Sequence, residues 1–426
     1  MSQTSPKLSR LGKVQFAGET SFGVAGSNYD DVQVMSIDRS GITQVGIEHA
    51  HQKQAFYEVA QILGVKSGST LKTTHYLHGA SASLPVAAPA HTTGDAAGAT
   101  GFDQLWGAIA MALGTQATGG FTALTLATAP STASIIKLTD AQVTFGAAGF
   151  IVGQAVAWVR ADGSYEVSWL KAIDDSADPN TATLLQTASE TPAGLGFFGS
   201  YTAALDTAET YRDGTPASAS IKVFGHDSDD LLSCVGCVPM GIDWDFPIDG
   251  PATMTITWFV TSWTETGSGG APSVISWPFA APEAIVGGNC ACVWGTTAVS
   301  PRVIQDLKIS LGLSLSPVKD YNSPQNVRNV FRTDCKPRVS FKVLRDVSEE
   351  PTEWAALTSK PWTFWSGSRP GKMYAFCVPN AMIEKFPGFS DGDGAIMAEV
   401  VLYPGYYDGD TGSSALSDTP FRAAIL

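Results

Sequence analysis

The sequence predicts an all-β protein carrying one or two short helices, and three observations predict it. First, β-branched and aromatic residues gather in short runs broken by Gly, Pro, Asn and Asp, with 43 Gly and 24 Pro among 426 residues. Thr253-Met-Thr-Ile-Thr-Trp-Phe-Val260, Arg338-Val-Ser-Phe-Lys-Val-Leu344 and Ala395-Ile-Met-Ala-Glu-Val-Val-Leu402 alternate in polarity, as strands with one buried face do. Second, apolar residues recur at helical spacing in only two places. Third, the chain contains an internal repeat of strand-like segments.

Taken in order, strand signals run through Gly12-Lys-Val-Gln-Phe16, Val32 to Asp38 and Leu71-Lys-Thr-Thr-His-Tyr76. Ser81 to Ala99 is of low complexity and reads as a loop. Phe102, Leu105, Trp106, Ile109 and Leu113 then recur at three- and four-residue spacing, and Gly114 is placed to stop that helix. A second short helix is expected from Thr352 through Trp354 to Leu357. Between them lie further strand signals at Ala133 to Leu138, Val156 to Val159, Tyr165 to Trp169 and Ala182 to Leu185. Asp162-Gly163 supplies a hairpin turn between the middle two.

The repeat sets the domain organisation. CVPMGIDWDFP at 237–247 and CVPNAMIEKFP at 377–387 agree at five of eleven positions under an offset of 140 (377 − 237). With small slips, Asp249-Gly250 falls on Asp391-Gly392, and Met254 on Met397. Upstream, Leu71 to Tyr76 followed by the Phe102 helix parallels Val339 to Leu344 followed by the Trp354 segment. Ile221 to Gly225 likewise parallels Pro361 to Ser366, each leading into CVP. The expected layout is a discontinuous first β domain (1–114 and 213–266) and an inserted β-rich barrel or sandwich (115–212). A linker (267–302), with Gly267 to Ser273 of low complexity, and a second β domain (303–426) follow.

Only 15% of residues are charged, which suits a chain that buries much of its surface against other subunits. The net charge is −14, with 40 Asp and Glu against 26 Lys and Arg. Such a chain repels nucleic acid rather than reading it, since binding requires cations to displace phosphate counterions. That does not exclude a conduit past which DNA slides. No signal-peptide run opens the sequence and no segment has the length of a membrane-spanning helix, so no membrane span is expected. The six cysteines, in a chain expected to stay unexported, read as reduced thiols.

No motif asks for chemistry. Gly194-Leu-Gly196-Phe-Phe-Gly199 has the spacing of a dinucleotide fingerprint but lacks its strand–helix setting, and reads as a glycine-rich turn. Cys234-Val-Gly-Cys237 has metal-knuckle spacing, while Cys290-Ala-Cys292 is one residue too close to supply the second pair and reads as core. His49, His51, His75 and His78, with Glu48 and Glu58, read as loop or interface residues. Asp391-Gly-Asp393 and Asp408-Gly-Asp410 read as turns rather than calcium loops. The expectation is a non-enzyme with no catalytic, cofactor-binding or metal-binding residue and no cofactor.

The order of elements resembles that of the tail tube (major tail) proteins of siphophages, over about Leu11 to Trp263 and again over Val303 to Leu426. The matching pattern begins at Gly12 to Phe16 and Glu19-Thr-Ser-Phe-Gly23, and continues through the strands, the helix and the two CVP segments. The resemblance implies a β-sandwich or barrel unit that forms rings stacked helically into a hollow tube, the conduit for DNA during ejection. It assigns the loop from Arg39 to Gln61, and Gly312 to Phe331 in the second copy, to stacking on the adjacent ring. The implied partners are the chain itself, other tail proteins and DNA in transit without specific binding. A duplicated chain closes its ring with three subunits, and a single-copy chain with six. The implied location is the virion tail, assembled in the host cytoplasm, with 115–212 decorating the outside. A carbohydrate- or receptor-binding phage β-sandwich is the alternative, drawn from Trp362-Thr-Phe-Trp365; surface-exposed rings favour it and buried rings favour the tube.

Overall fold

The computed structural model describes residues 13–426 except, chiefly, 51–59, 64–67, 78–100, 119–123, 127–131, 139–143, 207–217, 226–230, 267–284, 286–289, 296–303 and 345–351. The low-complexity stretches at Ser81 to Ala99 and Gly267 to Ser273 therefore lie outside the described residues. In chain order, β1 (Lys13–Gly18), β2 (Asp30–Val32), β3 (Ser36–Asp38), β4 (Gly46–His49), β5 (Ala60–Leu63) and β6 (Ser69–Tyr76) precede helix α1 (Gly101–Leu113). There follow β7 (Gly114–Thr118), β8 (Leu124–Leu126), β9 (Ile135–Lys137), β10 (Ala155–Val159) and β11 (Tyr165–Asp174). Next come β12 (Thr181–Leu184), β13 (Gly194–Gly199), β14 (Tyr201–Leu205), β15 (Ala219–Phe224), β16 (Leu231–Phe246) and β17 (Thr253–Thr266). The remainder holds β18 (Cys290–Trp294), β19 (Ile304–Ser310), β20 (Leu313–Lys319), β21 (Val327–Cys335) and β22 (Arg338–Leu344). It ends with β23 (Lys360–Ser366), β24 (Tyr374–Ile383), β25 (Gly388–Gly392), β26 (Ala395–Pro404) and β27 (Arg422–Ile425). The protein is all-β, and seventeen strands join one curled antiparallel half-barrel sheet.

The two halves pair their strands in the same order. In the first, the sheet runs β2–β1–β15–β16–β17–β6–β3. In the second it runs β18–β23–β24–β26–β22–β19. Thus β1, β15, β16, β17, β6 and β3 correspond to β18, β23, β24, β26, β22 and β19. A two-stranded arm interrupts each half at the same point, β4–β5 between β3 and β6, and β20–β21 between β19 and β22. Helix α1 fills the place between β6 and β15. Between β22 and β23 stands one helical turn, where Ala356 N–H donates to the Thr352 carbonyl at 2.9 Å and Trp354 leans on the main core.

One hydrophobic core runs through both halves. The end of β16 stays paired with β17 on one edge and pairs on the other with β19 of the second half, so Trp244 and Phe246 reach Phe376, Phe364 and Phe421. Helix α1 differs from its amphipathic reading: Ala108 through Leu113 are all buried, which leaves that end no solvent face. Gly114 does end it, with φ at +99°, a left-handed turn that costs glycine little, and the chain passes directly into β7.

Part of the interrupting segment 115–212 forms a sheet of its own. This six-stranded sheet, ordered β8–β13–β10–β11–β12–β9, spans 124–199. The flanking strands β7 and β14 pair with each other, and β14 pairs with β27, which pairs with β24. The insert leaves the first half yet packs on the second: Ala155, Ala157, Val167, Trp169 and Phe198 share a core with Val293, Trp365, Met373, Ala375 and Leu426. Gln186 Nε2 donates to the Gly295 carbonyl at 2.8 Å, and Ser414 Oγ to the Val152 carbonyl at 2.6 Å. The insert thus clasps the first half to the second. The segment 267–302 is likewise more than a linker, since β18 within it pairs along all of its length with β23.

Candidate assembly interface

Registers fix which residues correspond, and they correct the alignment drawn from CVP. Ala219 lies opposite Cys237 and Ile221 opposite Cys234, the missing residue marking a bulge in β16. Lys360 lies opposite Ala381 and Trp362 opposite Val378, with the same bulge in β24. Strand β16 therefore maps to β24 with an offset of 144 (378 − 234), not 140. Cys237 points into the shared core, whereas Cys377 points out toward the insert, so the two cysteines are not counterparts. Met254 and His75 face each other on the core side of the first half, as Ala398 and Val343 do in the second, which replaces Met397 by Ala398.

The junction between halves is a strand-to-strand seam. Asp243, Trp244, Asp245 and Phe246 lie opposite Ser310, Ile309, Lys308 and Leu307. The inward residues Trp244, Phe246, Leu307 and Ile309 are buried, and on the outer side Asp245 meets Lys308 at 3.8 Å. The arm β20–β21 then folds back over the first half, where Val327, Val330 and Leu315 cover Phe259, Met240 and Phe22. Its tip stays bare, with Tyr321 fully exposed.

Buried polar groups brace the parts. The Glu19 carboxylate accepts from Ser218 Oγ at 2.6 Å, Ser220 Oγ at 2.7 Å, Gly236 N–H at 2.8 Å and Gly23 N–H at 2.9 Å. Arg422 on β27 pairs with Asp410, both fully buried, and Asp410 also accepts from Tyr407 Oη at 2.8 Å and Asp418 N–H at 3.0 Å. Burial pushes the Tyr407 phenol far above its ordinary range, and the Asp410 charge adds to this. In the insert, burial raises the Glu166 carboxyl, against the pull of Ser189 donating to it.

The residues singled out by motif do not converge on one site. Cys234 and Cys237 line the core, and burial pushes the Cys237 thiol well above its ordinary range. Cys290 and Cys292 share a face of β18 toward that core, as alternation predicts, and burial pushes Cys377 up to about 12. His75 is not a loop residue but a buried strand residue, 2.9 Å from Thr73 Oγ1. His51, His78 and Glu58 lie outside the described residues; Glu48 and His49 belong to β4. Gly194 to Gly199 is strand β13 rather than a turn, paired with β10 and β8. Asp391-Gly392 belongs to β25, and Asp410 is the buried partner of Arg422. Trp362, Phe364 and Trp365 are all buried, the first two in the shared core and the third against the insert.

Two features escaped the sequence reading. The Arg422–Asp410 pair is twelve residues apart, with no pattern that joins them. The seam is the other, because the residues 243–246 carry no local sign of the strand they will pair with. Among the described residues no helix is long and apolar enough to cross a membrane, and no group of three or more His, Cys, Asp or Glu could hold a metal. No protein-family model matches the chain, and a search of curated proteins finds no match.

Proposed function

We propose that this chain is a structural subunit of a virion, the tail tube protein of a long-tailed phage, and not an enzyme. One observation carries the reading. Two halves with the same strand order are joined by an open-ended β seam, and a unit that joins to its like in this way can propagate into a ring. The buried Trp362, Phe364 and Trp365 also support it, because rings packed on both sides of β23 offer no surface on which a sugar could stack.

In this reading the two halves act as consecutive tube units, and three copies close a ring of six units. Rings stack helically, other tail proteins cap the stack, and DNA passes through without being held. The net charge of −14 suits a bore that must not adhere to phosphate. The tail would assemble in the host cytoplasm. Negative-stain microscopy of the purified protein across concentration tests the reading: rings or filaments of rings are expected, and particles that stay single at the highest concentration overturn it.

A further inference from the structure

Resting on the ring reading, we infer that neighbouring copies are joined by a β seam between β25 of one copy and β3 of the next, an imprint of the seam inside the chain. The template is β16 on β19. The counterpart of β19 is β3, because Lys308 lies opposite Ser340 on β22 just as Asp38 lies opposite Lys72 on β6. The counterpart of the end of β16 is β25, because Trp244 lies opposite Met254 as Phe389 lies opposite Ala398. Strand β25 pairs on one edge with β26, and β3 on one edge with β6. Among the described residues, no strand pairs with the other edge of either. Among the described residues, each strand edge that the seam uses inside the chain thus has an open twin at the opposite end of the repeat.

Transposing the template gives the register. Asp245 opposite Lys308 becomes Ser390 opposite Asp38, and Phe246 opposite Leu307 becomes Asp391 opposite Ile37. A second feature makes the same step. Arm β20–β21 lies over Met240 and Phe259 of the preceding half, whose counterparts in the second half are Glu384 and Tyr403. The arm of the next copy, β4–β5, is thereby carried over Glu384 and Tyr403. Two strand edges that are open among the described residues, and a face on which Glu384 is exposed and Tyr403 half-buried, call for the same occupant, a second copy of this chain.

Paired cysteines test the seam. Directly opposed strand residues have Cα atoms about 4.5–5.5 Å apart, within disulfide range. Asp245→Cys with Lys308→Cys is the internal control and is expected to close within one chain. Ser390→Cys with Asp38→Cys is expected, under mild oxidation, to give a non-reducing ladder of dimer and trimer that ends at three. Ser390→Cys with Ser36→Cys, two positions out of register, is expected to stay monomeric on the same gel, as is the unsubstituted protein. Rings by microscopy without the Ser390–Asp38 cross-link, or with an equal cross-link from Ser36, overturn the seam and leave the tube reading standing. A ladder that continues to six overturns closure by three. A protein that neither cross-links nor assembles overturns both the seam and the tube.

Discussion

At the same place in each half a strand bulges, and the two bulges are held by unrelated chemistry. In the first half the bulge turns on Gly236, whose φ is +65° and whose added Cβ would sit 2.7 Å from Thr261 Oγ1. Its N–H reaches the buried carboxylate of Glu19, brought there by the segment after β1. In the second half the corresponding residue is Asn380, with its side-chain amide on the Tyr406 carbonyl and its own carbonyl taking Gly405 N–H at 2.7 Å. The strap here comes from after β26. Backbone pairing repeats because sheet geometry demands it, whereas the bracing side chains differ because each half has different chain passing beside it.

The largest effect should come from testing what only the second half has, the insert clasped to its outer face. Replacing 124–199 by a short turn between β7 and β14 would bare Trp365, Met373, Ala375 and Leu426. An apolar patch of that kind drives aggregation. The expected outcome is loss of soluble folded protein, read by soluble yield and by binding of a hydrophobic dye. A dispensable ornament would leave both unchanged, and the insert would then be no part of the difference between halves.

Next is the pair that pins β27 between β24 and β14. Arg422→Met strands the buried Asp410 charge, and removing one partner of a buried ion pair typically costs about 3–5 kcal/mol. Denaturant unfolding should show that loss, and Asp410→Leu added to Arg422→Met should recover part of it by removing the orphaned charge. The two bulges give the sharper contrast. Glu19→Gln leaves Ser218, Ser220, Gly23 and Gly236 competing for fewer acceptor sites, at about 2–3 kcal/mol; Asn380→Ala gives up one exposed amide bond, at about 1 kcal/mol. Equal losses would mean that the first bulge is not the more deeply braced.

These differences explain which parts of the fold the sequence could disclose. Strands such as β17, β22 and β26 were legible because a sheet with one buried face writes alternation into the chain. The repeat was legible as an order of elements, and the shortest, most vivid match within it misled by four residues. Cys-Val-Pro recurs because both segments are strands buried on two faces, which admit few residue types; Cys237 and Cys377 nonetheless point to opposite sides. The glycines of β13 looked like a turn because nothing local says that β10 and β8 will flank them. The docking of the insert was illegible for the same reason, since Trp169 meets Met373 only in three dimensions. Of the candidate interface, the arms could be placed in sequence, while the edges that β3 and β25 leave open depend on the pairing of every strand between them.

The smallest effect concerns a contact that the second half has and the first lacks. Arg338 Nε donates to Glu384 Oε2 at 2.7 Å and Nη2 to Oε1 at 2.5 Å, across β22 and the end of β24. The corresponding first-half residues are Thr70 and Met240, and there the arm β20–β21 supplies apolar cover instead. In a lone chain the ion pair faces water, so Arg338→Ala should cost only about 0.5 kcal/mol. The Arg338 hydrogen bond holds the Glu384 carboxyl below its ordinary 4.5. A lowered carboxyl contributes its stability above the unfolded value and loses it as pH falls through the folded one. The difference between Arg338→Ala and the parent should therefore be present at pH 7, shrink on acidification below 4.5, and fade at about 1 M salt, where the Debye length is about 3 Å. A difference that persists in acid would assign the contact to packing of the guanidinium stem, and the second half would then be braced at this point much as the first is, by covered surface rather than charge.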